Sequence, residues 1–255
     1  MYRALLFDLD GTLTPVRSVW QHLHETLGLW EDEARRHQEA FVAGDIDYEE
    51  FCRRDAAHWK GMREGDLRAI ADRIPYRPGV REAIGEARAR GAVVGVISTG
   101  LTLLADRVHR ELDLAFTLAN RLVASHGILT GEVRVNVRHA RKDEAVDLFC
   151  GQFGIDRRLV VSVGDSDGDI SMFARTGWSV ACRPASADTA AAASQVHDGD
   201  SILDLVRTLP LGDGISAVPP GLGACPSNRM GRAHGACGSQ ARREEESMWG
   251  IDDDE

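Results

Sequence analysis

The sequence has no long apolar run, and its cysteines show no paired spacing. No apolar segment approaches the roughly 20 residues that a transmembrane helix needs, so we expect no membrane span. The five cysteines are odd in number and include no CxxC pair, which favours a reducing compartment. The start, Met1-Tyr2-Arg3, leads directly into strand-like sequence without signal-peptide features. We therefore predict a cytoplasmic protein.

Lysine is also scarce. Only Lys60 and Lys142 occur among 30 basic residues, against 40 acidic ones, and the formal net charge is −10. An acidic chain repels the phosphates of nucleic acids and of anionic lipids, so neither is an expected partner. Hydrophobic residues still make up 43% of the 255 residues, which is ample for the core of one large domain.

Three short apolar runs end in polar residues and predict strands. They are residues 4–7 before Asp8, residues 92–97 before Ser98, and residues 159–163 before Gly164. Apolar runs separated by helical sequence are typical of parallel strands that are buried on both faces, which indicates an α/β fold. The carboxyl ends of such strands form the usual ligand site. Helices are predicted at residues 78–90, 101–111, 140–153 and 168–175.

Residues 15–76 do not have the pattern of a single crossover helix. They predict a small inserted helical cap over the strand ends, whereas residues 1–14 and 77–208 form the core domain. The cap helices are expected at about residues 16–28, 31–43, 47–60 and 64–72. A β-hairpin is predicted at residues 122–135, turning at His126-Gly127.

Residues 209–255 are expected to be a disordered tail. The segment is rich in Gly, Pro, Ala and Ser and then becomes acidic. Such a composition lacks the apolar residues needed to offset the conformational entropy of folding.

Asp8 and Asp10 follow the first strand at a spacing that places both carboxylates on one side. Two acids this close raise one pKa unless a cation lies between them, and Mg²⁺ is a hard cation that takes oxygen ligands. Asp165 and Asp169 follow the third strand and would complete the metal site. A solvated Asp-Gly turn would also account for the first pair alone.

An EF-hand calcium loop also begins with alternating acids. A loop that starts at Asp165 would need glycine at position 170 and glutamate at position 176, where this chain has Ile170 and Thr176. At the first cluster Gly11 follows the second acid directly, which also breaks the pattern. Calcium loops of this type are therefore not expected.

Ser98, Thr99 and Lys142 are candidates for phosphate binding. Ser98-Thr99-Gly100 offers hydroxyl and N–H groups where a strand leads into a helix, an arrangement that suits an anion. Helix capping would explain the same residues and is compatible with anion binding. Lys142 would supply a compact ammonium group in an arginine-rich chain, although it also fits as a surface charge.

These motifs, in their order, resemble the four motifs of the haloacid dehalogenase (HAD) superfamily. They are Asp8-Leu9-Asp10-Gly11-Thr12, Ser98 after a strand, Lys142, and the sequence GDSDGD of residues 164–169. Residues 119–122, 127–131 and 169–173 further resemble its phosphoserine phosphatase branch. The resemblance spans about residues 3–206 and implies a Rossmann-like core with helices on both faces of the sheet.

The resemblance implies hydrolysis of a small phosphomonoester. Asp8 would be the nucleophile that forms an aspartyl-phosphate, and Asp10 would protonate the leaving alkoxide and then activate water. Ser98, Thr99 and Lys142 would bind the phosphoryl group.

The same resemblance implies a Mg²⁺ cofactor. Asp8, the backbone carbonyl of Asp10, and Asp165 would hold the ion. Asp169 would act through a metal-bound water or orient Lys142.

The cap departs from the phosphoserine-specific pattern. Those enzymes have a glutamate seven residues after the second aspartate, where it holds the substrate amine, whereas this chain has Arg17. Those enzymes also have an arginine in the cap, which aligns with Asp55 of this chain, directly after Arg53 and Arg54. We therefore treat the three arginines as candidate specificity residues, and Arg17 predicts an anionic substrate.

Other functions would use the same catalytic side chains. A phosphotransferase or mutase would pass the phosphoryl group from Asp8 to an alcohol, and the sequence does not clearly distinguish such an enzyme from a hydrolase. A non-enzymatic phosphoaspartate switch also uses an aspartate, Mg²⁺ and a lysine, but Asp10, Ser98 and the cap oppose it. A degenerate binding protein is opposed by the presence of every catalytic position. A monomer or a homodimer would fit equally.

The histidines predict no metal site. His22 and His24 are two residues apart on a predicted helix, and no histidine pair has metal-ligand spacing. Trp20, Trp30, Trp59 and Tyr48 are expected in the core of the cap.

Overall fold

The computed structural model describes residues 1–212 of the chain. Within these residues, seven strands form one sheet in the order β4-β3-β2-β1-β5-β6-β7. They are β1 Ala4–Phe7, β2 Val93–Leu101, β3 Phe116–Ser125, β4 Ile128–Arg134, β5 Val160–Gly164, β6 Trp178–Cys182 and β7 Gln195–His197. Neighbouring strands are parallel except for β3 and β4, which are antiparallel. The predicted α/β fold is confirmed.

Helices lie between the strands and after the last one. They are α1 Val19–Thr26, α2 Arg35–Ala43, α3 Tyr48–Ala57, α4 Glu64–Ala71, α5 Val80–Ala89, α6 Thr102–Leu112, α7 Lys142–Phe153, α8 Ile170–Arg175, α9 Ala187–Ala192 and α10 Ile202–Thr208. A π-helical turn at Trp30–Ala34 leads into α2, and 3₁₀ turns cover Arg157–Leu159 and Asp167–Asp169. Within residues 1–212, no helix is both long enough and apolar enough to cross a membrane.

Strand β1 is central and fully buried, because it lies between β2 and β5. Its side chains alternate between two faces. Leu5 and Phe7 belong to one buried cluster, which includes residues of α5, α6 and α10, whereas Leu6 belongs to a second cluster with Phe149 of α7 and Met172 of α8. Both faces of the sheet are therefore covered, which explains why the strand sequences are continuously apolar.

The predicted cap segment contains α1 to α4 and the π-helical turn. The connection between α3 and α4 pairs with the edge strand β4. Gly61 donates its N–H to the Leu129 carbonyl at 2.9 Å, and Leu129 donates to the Met62 carbonyl at 2.9 Å. These bonds occupy a sheet edge that would otherwise expose unpaired backbone groups. We propose that residues 15–76 form one cap that is anchored on this edge.

The predicted hairpin is present and turns at His126-Gly127. Both residues have positive φ angles, 51° and 78°, as a two-residue type I′ turn requires. Strand β3 begins at Phe116, earlier than the pattern predicts, because its first half pairs with β2 and its second half with β4.

The chain remains packed on the core for four residues beyond the predicted boundary at 208. Leu209 and Leu211 are buried, and Tyr2 donates its N–H to the Pro210 carbonyl at 3.0 Å. Arg90 donates to the carbonyls of Leu209 and Leu211 at 2.5 and 3.0 Å. The remainder of the predicted tail, residues 213–255, lies outside the described residues.

Leu211→Ala tests this packing. Removing a buried leucine side chain should lower the free energy of unfolding by roughly 2 kcal/mol or more, as measured by urea denaturation. Leu148→Ala is the matched control, because Leu148 is 54% exposed on α7 and should change the free energy little. Equal effects of the two substitutions would show that Leu211 is not packed in solution.

Candidate active site

Three polar groups meet at the carboxyl ends of the adjacent strands β2, β1 and β5. Asp8 directly follows β1, Ser98 lies in the last part of β2, and Asp165 directly follows β5. Asp8 donates its N–H to the Val163 carbonyl at 2.8 Å, which fixes the start of its loop against β5. The parallel sheet thus brings together residues that are far apart in the sequence.

Lys142 is the buried cation of this site. Its Nζ donates to Asp8 Oδ1 at 2.5 Å and to Asp169 Oδ1 at 2.6 Å, and its side chain is only 2% exposed. Burial by itself would lower the pKa of Lys142, but the charges of Asp169 and Asp8 raise it above its ordinary value. The ammonium group therefore stays charged, and the surface-charge interpretation is wrong.

Asp169 positions this lysine. While its Oδ1 accepts from Lys142, its Oδ2 accepts from the N–H groups of Asp165 and Ser166, both at 3.0 Å. Gly164 permits this arrangement, because a Cβ at that position would collide with the Asp169 carboxylate. The glycine that ends β5 is therefore required by close packing.

Asp165 has two partners from the loop after β1. Thr12 Oγ1 donates to its Oδ1 at 3.4 Å, and Arg17 donates to its Oδ2 at 3.2 Å. Burial and the charge of Asp169 raise the pKa of Asp165 to about 7, against the opposing effect of Arg17. Gly11 has a φ of 80°, and a Cβ there would collide with this carboxylate.

The donor atoms fit a hard divalent cation. Carboxylate oxygens of Asp8, Asp165 and Asp169 lie within 4.8 Å of one another, and all three side chains are buried. Burial also raises the pKa of Asp8 well above its ordinary value, against the opposing charge of Lys142. Three buried carboxylates beside one buried ammonium leave negative charge uncompensated, and Mg²⁺ would neutralise it through oxygen ligands.

The side chain of Asp10 is not part of this group of three carboxylates. Its Oδ2 accepts from the Val19 N–H at 2.8 Å, at the start of α1. Its Oδ1 is buried without a hydrogen-bond partner. Burial raises the pKa of Asp10 to about 6, against the opposing hydrogen bond from Val19. Asp10 can therefore gain and lose a proton near neutral pH.

Ser98 and Thr99 differ in their contacts. Ser98 is fully buried, and its Oγ accepts from the Gly100 N–H at 2.9 Å. Thr99 uses its backbone carbonyl, which accepts from Tyr48 Oη at 2.7 Å, from Asn120 Nδ2 at 2.9 Å and from Trp20 Nε1 at 3.2 Å. Two of these donors belong to the cap, so the loop after Ser98 is tied to the cap.

The three candidate specificity arginines lie in different places. Arg17 is 56% exposed and reaches Asp165. Arg53 and Arg54 both pair with Glu50 on the same helix, at 2.7 and 2.6 Å. Their hydrogen bonds lower the pKa of Glu50 to about 2. Arg17 therefore lies beside Asp165 at the strand ends, whereas Arg53 and Arg54 share Glu50 as their partner.

Sequence reasoning missed the role of Arg77. Its guanidinium donates twice to the Gly11 carbonyl, at 3.0 and 2.8 Å, and so holds the loop that follows Asp10. Tyr48, which was expected only in the core of the cap, donates to the Thr99 carbonyl. Both contacts join segments that are far apart in the sequence, so only the folded chain reveals them.

Metal removal should make stability depend on pH through Asp165. Its raised pKa means that, between about pH 4 and pH 7, the folded protein binds more protons than the unfolded chain. The free energy of unfolding in EDTA should therefore fall across this window as pH rises. Asp165→Asn should remove part of this loss, and excess Mg²⁺ should do the same for the natural chain. Denaturation curves at a series of pH values measure both effects, and identical pH profiles under all conditions would contradict this account.

Comparison with known proteins agrees with this geometry. Residues 5–174 match the family of haloacid dehalogenase-like hydrolases. The phosphoserine phosphatase of Methanocaldococcus jannaschii is 30% identical over 180 residues, which cover 70% of this chain and 84% of that protein. The phosphoserine phosphatase of Idiomarina loihiensis is 30% identical over 184 residues, which cover 71% and 83%.

A solved structure is also similar. It is a phospho-aspartyl intermediate analogue of phosphoserine phosphatase, with a TM-score of 0.71 and 26% identity over 81% of this chain and 98% of that one. The family match covers most of the chain, and it includes the loops that carry Asp8, Lys142 and Asp165. This chain therefore belongs to the haloacid dehalogenase-like hydrolases and is a phosphatase of that family.

Proposed function

We propose that this phosphatase hydrolyses a small phosphomonoester through an aspartyl-phosphate on Asp8, with Mg²⁺ as cofactor. The main support for this proposal is the buried cluster of charges in which the Lys142 ammonium contacts both Asp8 and Asp169. Burial raises the pKa of Asp8 well above its ordinary value, and the adjacent ammonium of Lys142 opposes only part of this shift. Mg²⁺ beside Asp8 would add to the effect of Lys142 and favour the anion that a nucleophile requires.

The first step is attack by Asp8 on phosphorus. Lys142 holds Asp8 Oδ1, so the other carboxylate oxygen is available to form the new oxygen–phosphorus bond. The bond from phosphorus to the substrate alkoxide breaks, and the alkoxide takes a proton from Asp10. Lys142 and Ser98 supply donors for the negative charge of the phosphoryl group.

The second step is hydrolysis of the acyl phosphate. Asp10 now lacks its proton and accepts one from a water molecule, whose oxygen attacks phosphorus and releases Asp8. One group can serve both steps because its pKa of about 6 lies near neutral pH. Two phosphoserine phosphatase structures support this chemistry by likeness, one with a phospho-aspartyl analogue and one with bound substrate.

The acids around Asp8 would hold the cofactor. Asp8, Asp165 and the backbone carbonyl of Asp10 would bind Mg²⁺, which when bound lowers the cost of bringing a phosphate anion beside carboxylates. Asp169 would support the site by holding Lys142 in place.

Asp8→Asn should abolish hydrolysis of p-nitrophenyl phosphate, because an amide cannot form the acyl phosphate. The expected loss in kcat is about a thousandfold or more. Asp147→Asn is the control, since Asp147 forms an exposed pair with Arg175 and should retain activity. EDTA should inactivate the natural chain, and Mg²⁺ should restore it. Retained turnover in Asp8→Asn would reject Asp8 as the nucleophile.

We further propose that the substrate carries a second anionic group beside the phosphate. Arg17 places a half-exposed guanidinium next to Asp165, where an ammonium-binding glutamate occurs in phosphoserine-specific relatives. A guanidinium repels a substrate amine and attracts a carboxylate or a second phosphate. The preferred substrate class would then be phosphorylated carboxylic acids that lack an amine.

Arg17→Glu tests this assignment. The substitution should raise the ratio of kcat/KM for phosphoserine over that for phosphoglycolate by tenfold or more, as measured at saturating Mg²⁺. Arg17→Gln is the control for loss of charge and should give an intermediate ratio. If the natural chain already prefers phosphoserine, or if the three ratios agree, Arg17 does not select the substrate.

A further inference from the structure

A second group of metal-ligating side chains lies in the cap. Glu33 is in the π-helical turn, His37 is on α2, and His58 directly follows α3. One ligand atom from each side chain lies within 4.8 Å of the other two. The three residues line a surface cavity of about 700 Å³, so an ion from solvent can reach them.

This group contains a buried polar atom that has no hydrogen-bond partner. His58 Nε2 is buried, and its separation of 4.0 Å from Glu33 Oε2 is too long for a hydrogen bond. A buried polar atom without a partner is costly, so folded proteins rarely keep one without a reason.

Asp55 orients one of the candidate ligands. Its Oδ1 lies 3.3 Å from His37 Nδ1, and its charge favours the tautomer in which Nδ1 donates. The lone pair of His37 is then on Nε2, on the opposite side of the ring. A carboxylate that fixes a histidine in this way is the usual support of a protein metal ligand.

The second histidine lies beside the first, since the ring centroids of His37 and His58 are 5.3 Å apart. The buried Nε2 of His58 has no hydrogen-bond partner, so its position is open to a metal ion. Glu33 is 68% exposed, so its carboxylate can move toward the two rings at little cost.

We propose that Glu33, His37 and His58 bind a divalent transition metal, with Zn²⁺ as the best match. Two imidazole nitrogens and one carboxylate oxygen form a common zinc ligand set, with a fourth position for water. This donor set differs from the all-oxygen group at the strand ends, so the two sites select different ions. The proposal does not depend on the reaction assigned to Asp8.

The bound ion would brace the cap. It would join the π-helical turn and α2, which are continuous in the chain, to the end of α3. Next to it, the ring of His24 stacks on Trp59 at 4.5 Å, and Trp59 stacks on Trp20 at 5.5 Å. Trp20 donates to the Thr99 carbonyl, so a braced cap would also steady the loop beside Ser98.

A titration of the full chain with Co²⁺ and then Zn²⁺ tests the site. Excess Mg²⁺ keeps the all-oxygen site filled, and the visible spectrum of Co²⁺ reports nitrogen ligands. The natural chain should bind one Co²⁺ ion and give the visible spectrum of Co²⁺ with few ligands. Zn²⁺ should then displace the Co²⁺. Glu33→Gln and His58→Gln should each weaken binding by tenfold or more.

His126→Asn is the matched control. His126 is exposed in the hairpin turn, where asparagine tolerates the positive φ angle, and its replacement should leave the Co²⁺ affinity unchanged. Glu33→Gln changes an exposed side chain and should keep the circular dichroism spectrum of the natural chain. The proposal is overturned if no Co²⁺ spectrum with nitrogen ligands develops, or if Glu33→Gln binds as tightly as His126→Asn.

Discussion

A lysine ammonium group buried between two carboxylates constrains the whole core. Lys142 is 2% exposed and contacts Asp8 and Asp169, which come from different strand ends. An unpaired charge at this depth would cost several kcal/mol, so β1, β5 and α7 must meet with little freedom. The glycine at position 164 meets that requirement, because a Cβ there would collide with the Asp169 carboxylate. The same group of charges contains Asp8, the proposed nucleophile.

The cap contacts this core through backbone groups and through the carboxylates of Asp10 and Asp165. The Thr99 carbonyl accepts hydrogen bonds from Trp20 and Tyr48 of the cap, and Asp10 accepts from the first residue of α1. The cap is therefore linked through the start of α1 to Asp10, the proposed acid/base. Because Arg17 lies just before this helix, substrate preference can change there while the phosphoryl-transfer chemistry stays the same.

Local patterns in the sequence predict β1, β2, β5, the hairpin of β3 and β4, and the acids at the strand ends. They also predict eight of the ten described helices, but not β6, β7, α9 or α10. The position of Lys142 follows from motif order, but its burial does not, because burial depends on how α7 packs against β1. The pair His37 and His58 is invisible in the sequence, since the residues lie on separate helices and show no metal spacing. The packing of Leu211 is also missed, because a glycine- and proline-rich composition masks a short apolar contact with the core.

Chemical trapping tests the central claim, that Asp8 carries the phosphoryl group. Borohydride reduces an acyl phosphate to an alcohol, so an aspartyl-phosphate becomes homoserine. Enzyme quenched with borohydride during turnover, digested and sequenced by mass spectrometry should show homoserine at position 8, only when substrate and Mg²⁺ are both present. Modification of a different residue, or none at Asp8 during rapid turnover, would contradict this account.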